Sequence, residues 1–183
     1  LMSDELAARV AKWPDRGTAS RYDLELEVFV DRVGARYASW YEMFHRSQGT
    51  VPGRSATFDD MIRRLDDVSR MGFDVIYLPP VHPIGYTHRK GPNDSTFCPP
   101  GAPGSPWAIG SHEGGHDAIP PDLGTMKDFE RFVKACRDRG MEVALDFALQ
   151  ASPDHPWVKE HPAWFKHRPD GTIKYAENPP KKY

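Results

Sequence analysis

The residues best placed to do chemistry lie where two apolar runs give way to Pro-rich loops. The first run is GFDVIYLPPVHPIG (72–85), and the second is MEVALDFALQASPDHPW (141–157). Asp146 stands where the second run ends, and packing alone hardly explains a carboxylate at the carboxyl end of a buried parallel strand. In barrels built from such strands, this end holds the catalytic and binding groups. Asp146 therefore predicts a site, although an aspartate at a strand end can also merely cap a turn.

A second stretch, HEGGH (112–116), matches the H-E-x-x-H pattern of zinc proteases. That pattern works on a helix, which places both histidines on one face with the glutamate as general base. Here the two middle residues are glycines, each costing a helix about 1 kcal/mol relative to alanine. Pro120 and Pro121 follow closely. We therefore expect no metal site here and keep a zinc metalloprotease only as the lesser alternative.

The elements that would position these residues alternate between strand and helix. Two apolar stripes of helical period begin at Thr57 and Thr125, each followed three residues later by an aspartate, and end at Gly72 and Gly140. Strand–helix–strand crossovers require parallel pairing. The sequence thus predicts an α/β fold with three parallel strands, at 36–44, 75–78 and 143–147. Three such strands do not close a barrel, so we expect the chain to be the front part of something larger.

The first 35 residues precede the alternating strands and helices and show a different pattern. Ser3 can cap a helix over 4–13, and 14–20 reads as a linker. Alternating apolar residues over 22–30 predict a half-buried strand. We assign 1–35 to the end of an N-terminal region with its linker, and 36–183 to the first part of a barrel domain.

Composition bounds the possible partners. Lys and Arg number 24 against 26 Asp and Glu, which offers no basic excess for nucleic acid. The two cysteines, Cys98 and Cys136, lie far apart in sequence and fit reduced thiols better than a disulfide framework. No apolar run approaches membrane-spanning length. A cytoplasmic protein without nucleic-acid or membrane partners is the expectation.

Three motifs carry a family resemblance that covers about 36–183. GFDVIYLPPVHP (72–83), DAIPPDLGT (117–125) and DFALQ (146–150) resemble segments of glycoside hydrolase family 13, the α-amylase family. The resemblance implies a (β/α)8 TIM barrel, of which this chain would hold strands 1–3. It also implies that Asp146 orders the site rather than attacking the sugar.

Within that family, HRKG (88–91), GSPWAIGS (104–111) and YAENPPKKY (175–183) resemble a bacterial branch that transfers maltosyl units. The resemblance implies α-maltose 1-phosphate as donor and the non-reducing end of a maltooligosaccharide or α-1,4-glucan as acceptor. Inorganic phosphate would be released by a retaining double displacement. It further implies a homodimer and no cofactor.

The same resemblance assigns substrate contacts residue by residue. Lys90 and Gln150 match donor-binding positions, and Asn178, Lys181 and Tyr183 match a substrate loop. Cations and amides suit a phosphate leaving group, which carries about −1.5 to −2 charge near neutral pH. Without the motifs, the two lysines would read as ordinary solvated charges.

Two features limit the assignment. Gln150 and Ala151 stand where amylases usually carry Asn-His, which argues against a calcium site and against a plain amylase. The family's nucleophilic aspartate, general-acid glutamate and third aspartate belong to the fourth, fifth and seventh strands, and we find none of those segments in this sequence. We therefore assign no catalytic residue here and expect this chain alone to be inactive. A non-catalytic glucan-binding or regulatory module is the alternative.

Overall fold

The computed structural model describes residues 3–17 and 19–175, and the chain divides into two units, Leu1–Arg36 and Tyr37–Tyr183. The first unit contains helix α1, Asp4–Ala11, and a 3-10 turn, Val33–Ala35. Ser3 caps α1 as predicted, since its hydroxyl accepts a hydrogen bond from the Leu6 amide at 3.3 Å. The assignment of 1–35 to a separate region of a larger protein stays a prediction.

The strand predicted at 22–30 is wrong. These residues form no strand, and their apolar side chains are exposed, Val28 to 86%. A strand needs a neighbour to accept and donate its backbone hydrogen bonds. Among the described residues nothing pairs with this segment, so the alternation of apolar and charged side chains has no sheet to join.

The second unit is built on a parallel sheet of order β1-β2-β3. Its strands are β1, Trp40–Glu42, β2, Val75–Leu78, and β3, Glu142–Leu145. Trp40 pairs with Val75, and Val75 with Glu142. The predicted parallel α/β fold is confirmed, although the first strand is shorter than the predicted 36–44 and the third begins and ends earlier than 143–147.

Two helices, α2 (Phe58–Arg70) and α3 (Met126–Arg137), connect these strands and begin with matching capping boxes. The Asp60 carboxylate accepts from the Thr57 amide at 2.8 Å, while the Thr57 hydroxyl accepts from the Asp60 amide at 3.4 Å. Thr125 and Asp128 repeat the arrangement. The caps predicted from sequence are confirmed, and they satisfy amides that the first helical turn leaves unpaired.

The core lies between these helices and the sheet. It includes large, fully buried side chains from both layers: Phe58, Met61, Leu65, Ile76, Leu78 and Phe132. Cys136 packs in the same core, and burial raises the pKa of its thiol to about 12. Both cysteines are free.

The remaining elements are short. The sheet's loops contain 3-10 turns at His45–Ser47, Pro92–Asp94 and Pro162–Trp164, and helix α4, Trp157–Glu160, follows β3. None of the helices formed by the described residues is both long and apolar enough to cross a membrane.

Candidate active site

The carboxyl ends of the three strands lie side by side because the strands are parallel and in register. Asp146 follows β3 directly, and His45 and His82 follow β1 and β2 within a few residues. His45 is buried, and desolvation, with the nearby charge of Arg46, lowers its pKa to about 3. The imidazole is therefore neutral at this edge of the sheet.

Asp146 is held by a residue from another loop. The Trp107 indole nitrogen donates to its Oδ2 atom at 2.7 Å, across 39 positions of sequence. Burial, and then the Asp146 carboxylate, raise the pKa of Tyr77 on β2. The carboxylate thus joins the loops after β2 and β3 instead of capping its own turn. Trp107, a residue of the GSPWAIGS motif, serves as the hydrogen-bond donor.

Lys90 is not the solvated loop charge that its residue type alone suggests. Its side chain is 3% exposed, and Nζ has no hydrogen-bond partner among the described residues. Asp94 Oδ1 lies 4.0 Å away, so this half-exposed carboxylate forms a weak ion pair with Lys90 but no hydrogen bond. A buried ammonium without hydrogen bonds is unfavourable unless a negatively charged group meets it. This position is therefore suited to an anion.

The loop that carries Lys90 is anchored by the residues that directly precede Lys90. The Arg89 guanidinium donates to the carbonyls of Gly85 and Ile84, each at 2.8 Å, and lies 4.1 Å above the Tyr86 ring. Its neighbour Thr87 is bound by Asp154 of the loop after β3, through the amide and the hydroxyl, both at 2.6 Å. The position of Lys90 is thus coupled to the loop after β3.

Asp154 also accepts from the Tyr86 amide at 2.7 Å. Burial raises the pKa of Asp154, but the hydrogen bonds from Thr87 and Tyr86 outweigh it and lower the pKa below its ordinary value. The carboxylate is therefore ionised at neutral pH and binds the first loop firmly.

Gln150 is half-buried and lines a cavity of about 580 Å³. Aromatic rings and two lysines make up most of the rest of its wall: His116, Trp157, Trp164, Lys166, Lys174 and Tyr175. Lys90 is not among the described residues that line this cavity. The predicted contacts Asn178, Lys181 and Tyr183 lie outside the described residues.

The HEGGH stretch forms a tight turn, not the helix that a zinc site needs. Ser111 and Gly114 exchange backbone hydrogen bonds at 3.0 and 3.1 Å. The His112 ring stacks on Tyr86, whereas the His116 ring stacks on Trp157. Within the described part of the chain, no group of three or more His, Cys, Asp or Glu side chains is placed to hold a metal. The zinc alternative therefore has no structural support.

Comparison with known proteins decides the family. The family model described as "Alpha amylase, catalytic domain" matches residues 40–181. The chain belongs to the α-amylase family. This result confirms the resemblance to glycoside hydrolase family 13 that the three sequence motifs indicated.

Several members of the family are closely similar over most or all of the chain. A Pseudomonas aeruginosa protein named alpha-1,4-glucan:maltose-1-phosphate maltosyltransferase is 62% identical over 87% of this chain and 24% of the relative. A Rhodospirillum rubrum protein of the same name is 57% identical over 100% of this chain and 27% of the relative. The chain thus spans about a quarter of the length of the curated relatives that it matches.

Solved α-amylase structures share the fold. An α-amylase from Lactobacillus plantarum superposes with a TM-score of 0.64 at 29% identity, over 79% of this chain and 30% of that one. A maltogenic α-amylase from Thermotoga neapolitana gives 0.59 at 32% identity, over 74% and 29%. The three parallel strands and their helices are therefore the first units of an α-amylase-type TIM barrel.

Sequence reasoning missed several buried polar residues of this α-amylase-family site. Ser152 donates from its hydroxyl to the Gly110 carbonyl at 2.6 Å, and His155 lies 3.0 Å from His116 between ring nitrogens. Both Ser152 and His155 are 1% exposed. Gly110 leaves room for the His155 ring, which a side chain at that position would overlap, but this close approach is visible only in the structure.

Proposed function

We propose that this chain forms the start of the catalytic barrel of an enzyme that transfers a maltosyl unit from α-maltose 1-phosphate to an α-1,4-glucan. The names and high identities of the relatives support this proposal. Because the chain covers about a quarter of each of those relatives, the activity is proposed for the complete protein and not for these 183 residues alone.

The observation that carries the proposal is the buried ammonium of Lys90, which has no hydrogen-bond partner among the described residues and pairs with the Asp94 carboxylate only at 4.0 Å. A sugar phosphate donor brings a leaving group of about −1.5 to −2 charge, whereas hydrolysis of plain glucan releases an uncharged sugar. Charge-assisted hydrogen bonds to phosphate are about twice as strong as neutral ones. The phosphate of the bound donor would therefore offset the free-energy cost of burying the Lys90 ammonium.

The reaction we propose is a double displacement. An enzyme carboxylate attacks the anomeric carbon, the bond from that carbon to the phosphate oxygen breaks, and phosphate leaves with the bonding electrons while the general acid protonates it. The 4-hydroxyl of the acceptor then attacks the same carbon and gives its proton to the conjugate base of that acid. The bond from the carbon to the enzyme carboxylate breaks, which frees the carboxylate, and the two inversions together retain the anomeric configuration.

The residues of this chain would bind and orient rather than react. We propose that Asp146 orders the site and that Lys90 and Gln150 bind the donor. From the family resemblance we also assign Asn178, Lys181 and Tyr183 to substrate binding, and we propose that the nucleophile and general acid come from parts of the complete protein outside this sequence. From the family resemblance we also propose a homodimer that needs no cofactor. From the balanced charge and the apolar pattern of the sequence we propose a cytoplasmic protein that binds neither nucleic acid nor membranes.

The test is phosphate release from α-maltose 1-phosphate by the full-length natural product, with and without maltooligosaccharide. The proposal expects release that depends on the acceptor. Absence of release by a folded full-length protein would reject the activity and favour a glucan-binding module, which a glucan affinity measurement on the same sample would then reveal.

A further inference from the structure

Two histidines link the loop before α3 to the loop after β3 through an unbroken chain of hydrogen bonds. His116 Nε2 lies 2.8 Å from the Ala148 carbonyl oxygen, and His116 Nδ1 lies 3.0 Å from His155 Nε2. His155 Nδ1 in turn accepts from the Trp157 amide at 3.1 Å. We call His116 and His155 the histidine pair.

The partners at the two ends determine where the protons sit. The Ala148 carbonyl can only accept, so His116 carries its proton on Nε2. The Trp157 amide can only donate, so His155 Nδ1 is unprotonated and its proton lies on Nε2, facing His116. Each neutral ring therefore donates once and accepts once, and every ring nitrogen has a partner.

Packing around the pair is tight. His155 is 1% exposed, and a side chain at Gly110 or Gly115 would overlap its ring. The His116 ring lies nearly parallel to Trp157, with 7° between the planes and 5.4 Å between centroids. Burial, then the neighbouring His116, lower the pKa of His155 to about 4, so the neutral form persists at physiological pH.

The pair fixes the backbone on one side of Gln150. Ala148 is held by His116, and Ser152 is held on the other side, because its amide donates to the Ile109 carbonyl at 2.7 Å. Gln150 lies midway between these two anchors and lines the same cavity as His116. A shift of the backbone at Ala148 would therefore displace the Gln150 side chain.

We propose that His116 and His155 are positioning residues that hold the segment 148–152 so that Gln150 meets the donor. The effect on donor binding rests on the proposed function, whereas the ordering of the segment does not. No step of the chemistry passes through either ring.

The test uses full-length protein and three variants. His116→Phe keeps a ring against Trp157 but loses both hydrogen bonds. His116→Gln keeps an amide donor for the Ala148 carbonyl. His112→Phe is the matched control, since His112 lies in the same turn but stacks on Tyr86 instead.

The first readout is the Michaelis constant for α-maltose 1-phosphate. We expect His116→Phe to raise KM about tenfold, the effect of one to two neutral hydrogen bonds, with kcat within about twofold. His116→Gln should recover KM to within about threefold, and His112→Phe should match the wild type. If His116 only stabilised the fold, His116→Phe would lower Tm but would not raise KM while leaving kcat nearly unchanged.

The second readout is amide hydrogen exchange of peptides covering 148–157, which needs no activity. We expect faster exchange in His116→Phe and unchanged exchange in His112→Phe. Unchanged exchange in a folded His116→Phe protein overturns the inference, whether or not the wild type releases phosphate. Faster exchange with a wild-type KM in an active enzyme also overturns it, because Gln150 would then not depend on the pair.

If His116→Phe does not fold, His155→Asn takes its place. The Asn oxygen can still accept from the Trp157 amide, but the donor to His116 is removed. We expect the same faster exchange and a raised KM, and wild-type values of both in this variant contradict the proposal. Loss of phosphate release in the wild type itself would instead reject the proposed function.

Discussion

Replacing Lys90 by methionine should separate stability from function. Met preserves the length and much of the volume of the side chain but removes the ammonium, whose Nζ lacks a hydrogen-bond partner among the described residues and lies 4.0 Å from Asp94 Oδ1. Because Asp94 is half-exposed and forms no hydrogen bond with Nζ, this ion pair offsets little of the cost of burying the ammonium, and replacing a weakly compensated buried charge by an apolar group of similar volume is often neutral or stabilising. We therefore expect Lys90→Met to leave Tm unchanged or raise it.

Donor binding should change in the opposite direction. A hydrogen bond to a charged group contributes about 1.5–3 kcal/mol, which corresponds to about 10- to 100-fold in KM for α-maltose 1-phosphate. The assay is initial-rate phosphate release over a range of donor concentrations, together with thermal unfolding of the same samples. Lys134→Met is the control, because Lys134 is exposed on α3 and pairs with Asp138 at 2.6 Å.

Two results would refute this reasoning. An unchanged donor KM in Lys90→Met would show that the ammonium does not meet the phosphate. A fall in Tm larger than that of Lys134→Met would show that Lys90 stabilises the fold through a partner of its own.

Three further predictions concern the helix cap, the buried histidine and the aspartate. Thr57→Ala should lower the free energy of unfolding by about 1 kcal/mol in urea titrations, because the Asp60 amide loses its acceptor. Burial lowers the pKa of His155 from 6.5 in the unfolded state to about 4 in the folded state. The neutral ring therefore costs the folded state nothing above pH 6.5, and the free energy of unfolding falls as pH drops from 6.5 towards 4, because only the unfolded state takes up the proton. That pKa shift corresponds to roughly 3 kcal/mol. The difference in unfolding free energy between pH 7 and pH 4 should therefore be smaller in His155→Gln than in the wild type. An equal difference in both proteins would contradict this prediction. Trp107→Phe should lower kcat about tenfold with little change in Tm, since Asp146 loses its 2.7 Å donor, and unaltered kinetics would argue against an ordering role for Asp146.

The parts of the fold predicted correctly from sequence depend on local rules. Thr57 and Thr125 each precede an aspartate by three residues, and this spacing, followed by an apolar stripe of helical period, predicts a capping box. The apolar run over 75–78 gave strand β2 with its bounds unchanged. Parallel pairing was predictable because a helix between two strands of one sheet returns the chain to the end where the first strand began.

The parts that sequence could not supply depend on contacts between distant residues. The alternation over 22–30 is real, but whether it forms a strand depends on a partner that the local pattern does not contain. Lys90 gives no sign in sequence that it is buried, because burial arises from the fold of the loop around it. The histidine pair joins positions 39 apart, a distance at which residue types alone predict nothing.

The measurement that tests the account most directly is the ratio of phosphate released to glucose residues added, by the full-length enzyme with α-maltose 1-phosphate and a defined maltooligosaccharide. Transfer of a maltosyl unit predicts one phosphate for every two glucose residues added, with products that grow in steps of two. Growth in steps of one, or release of free maltose without any longer product, would contradict maltosyl transfer and with it the role proposed for this part of the barrel.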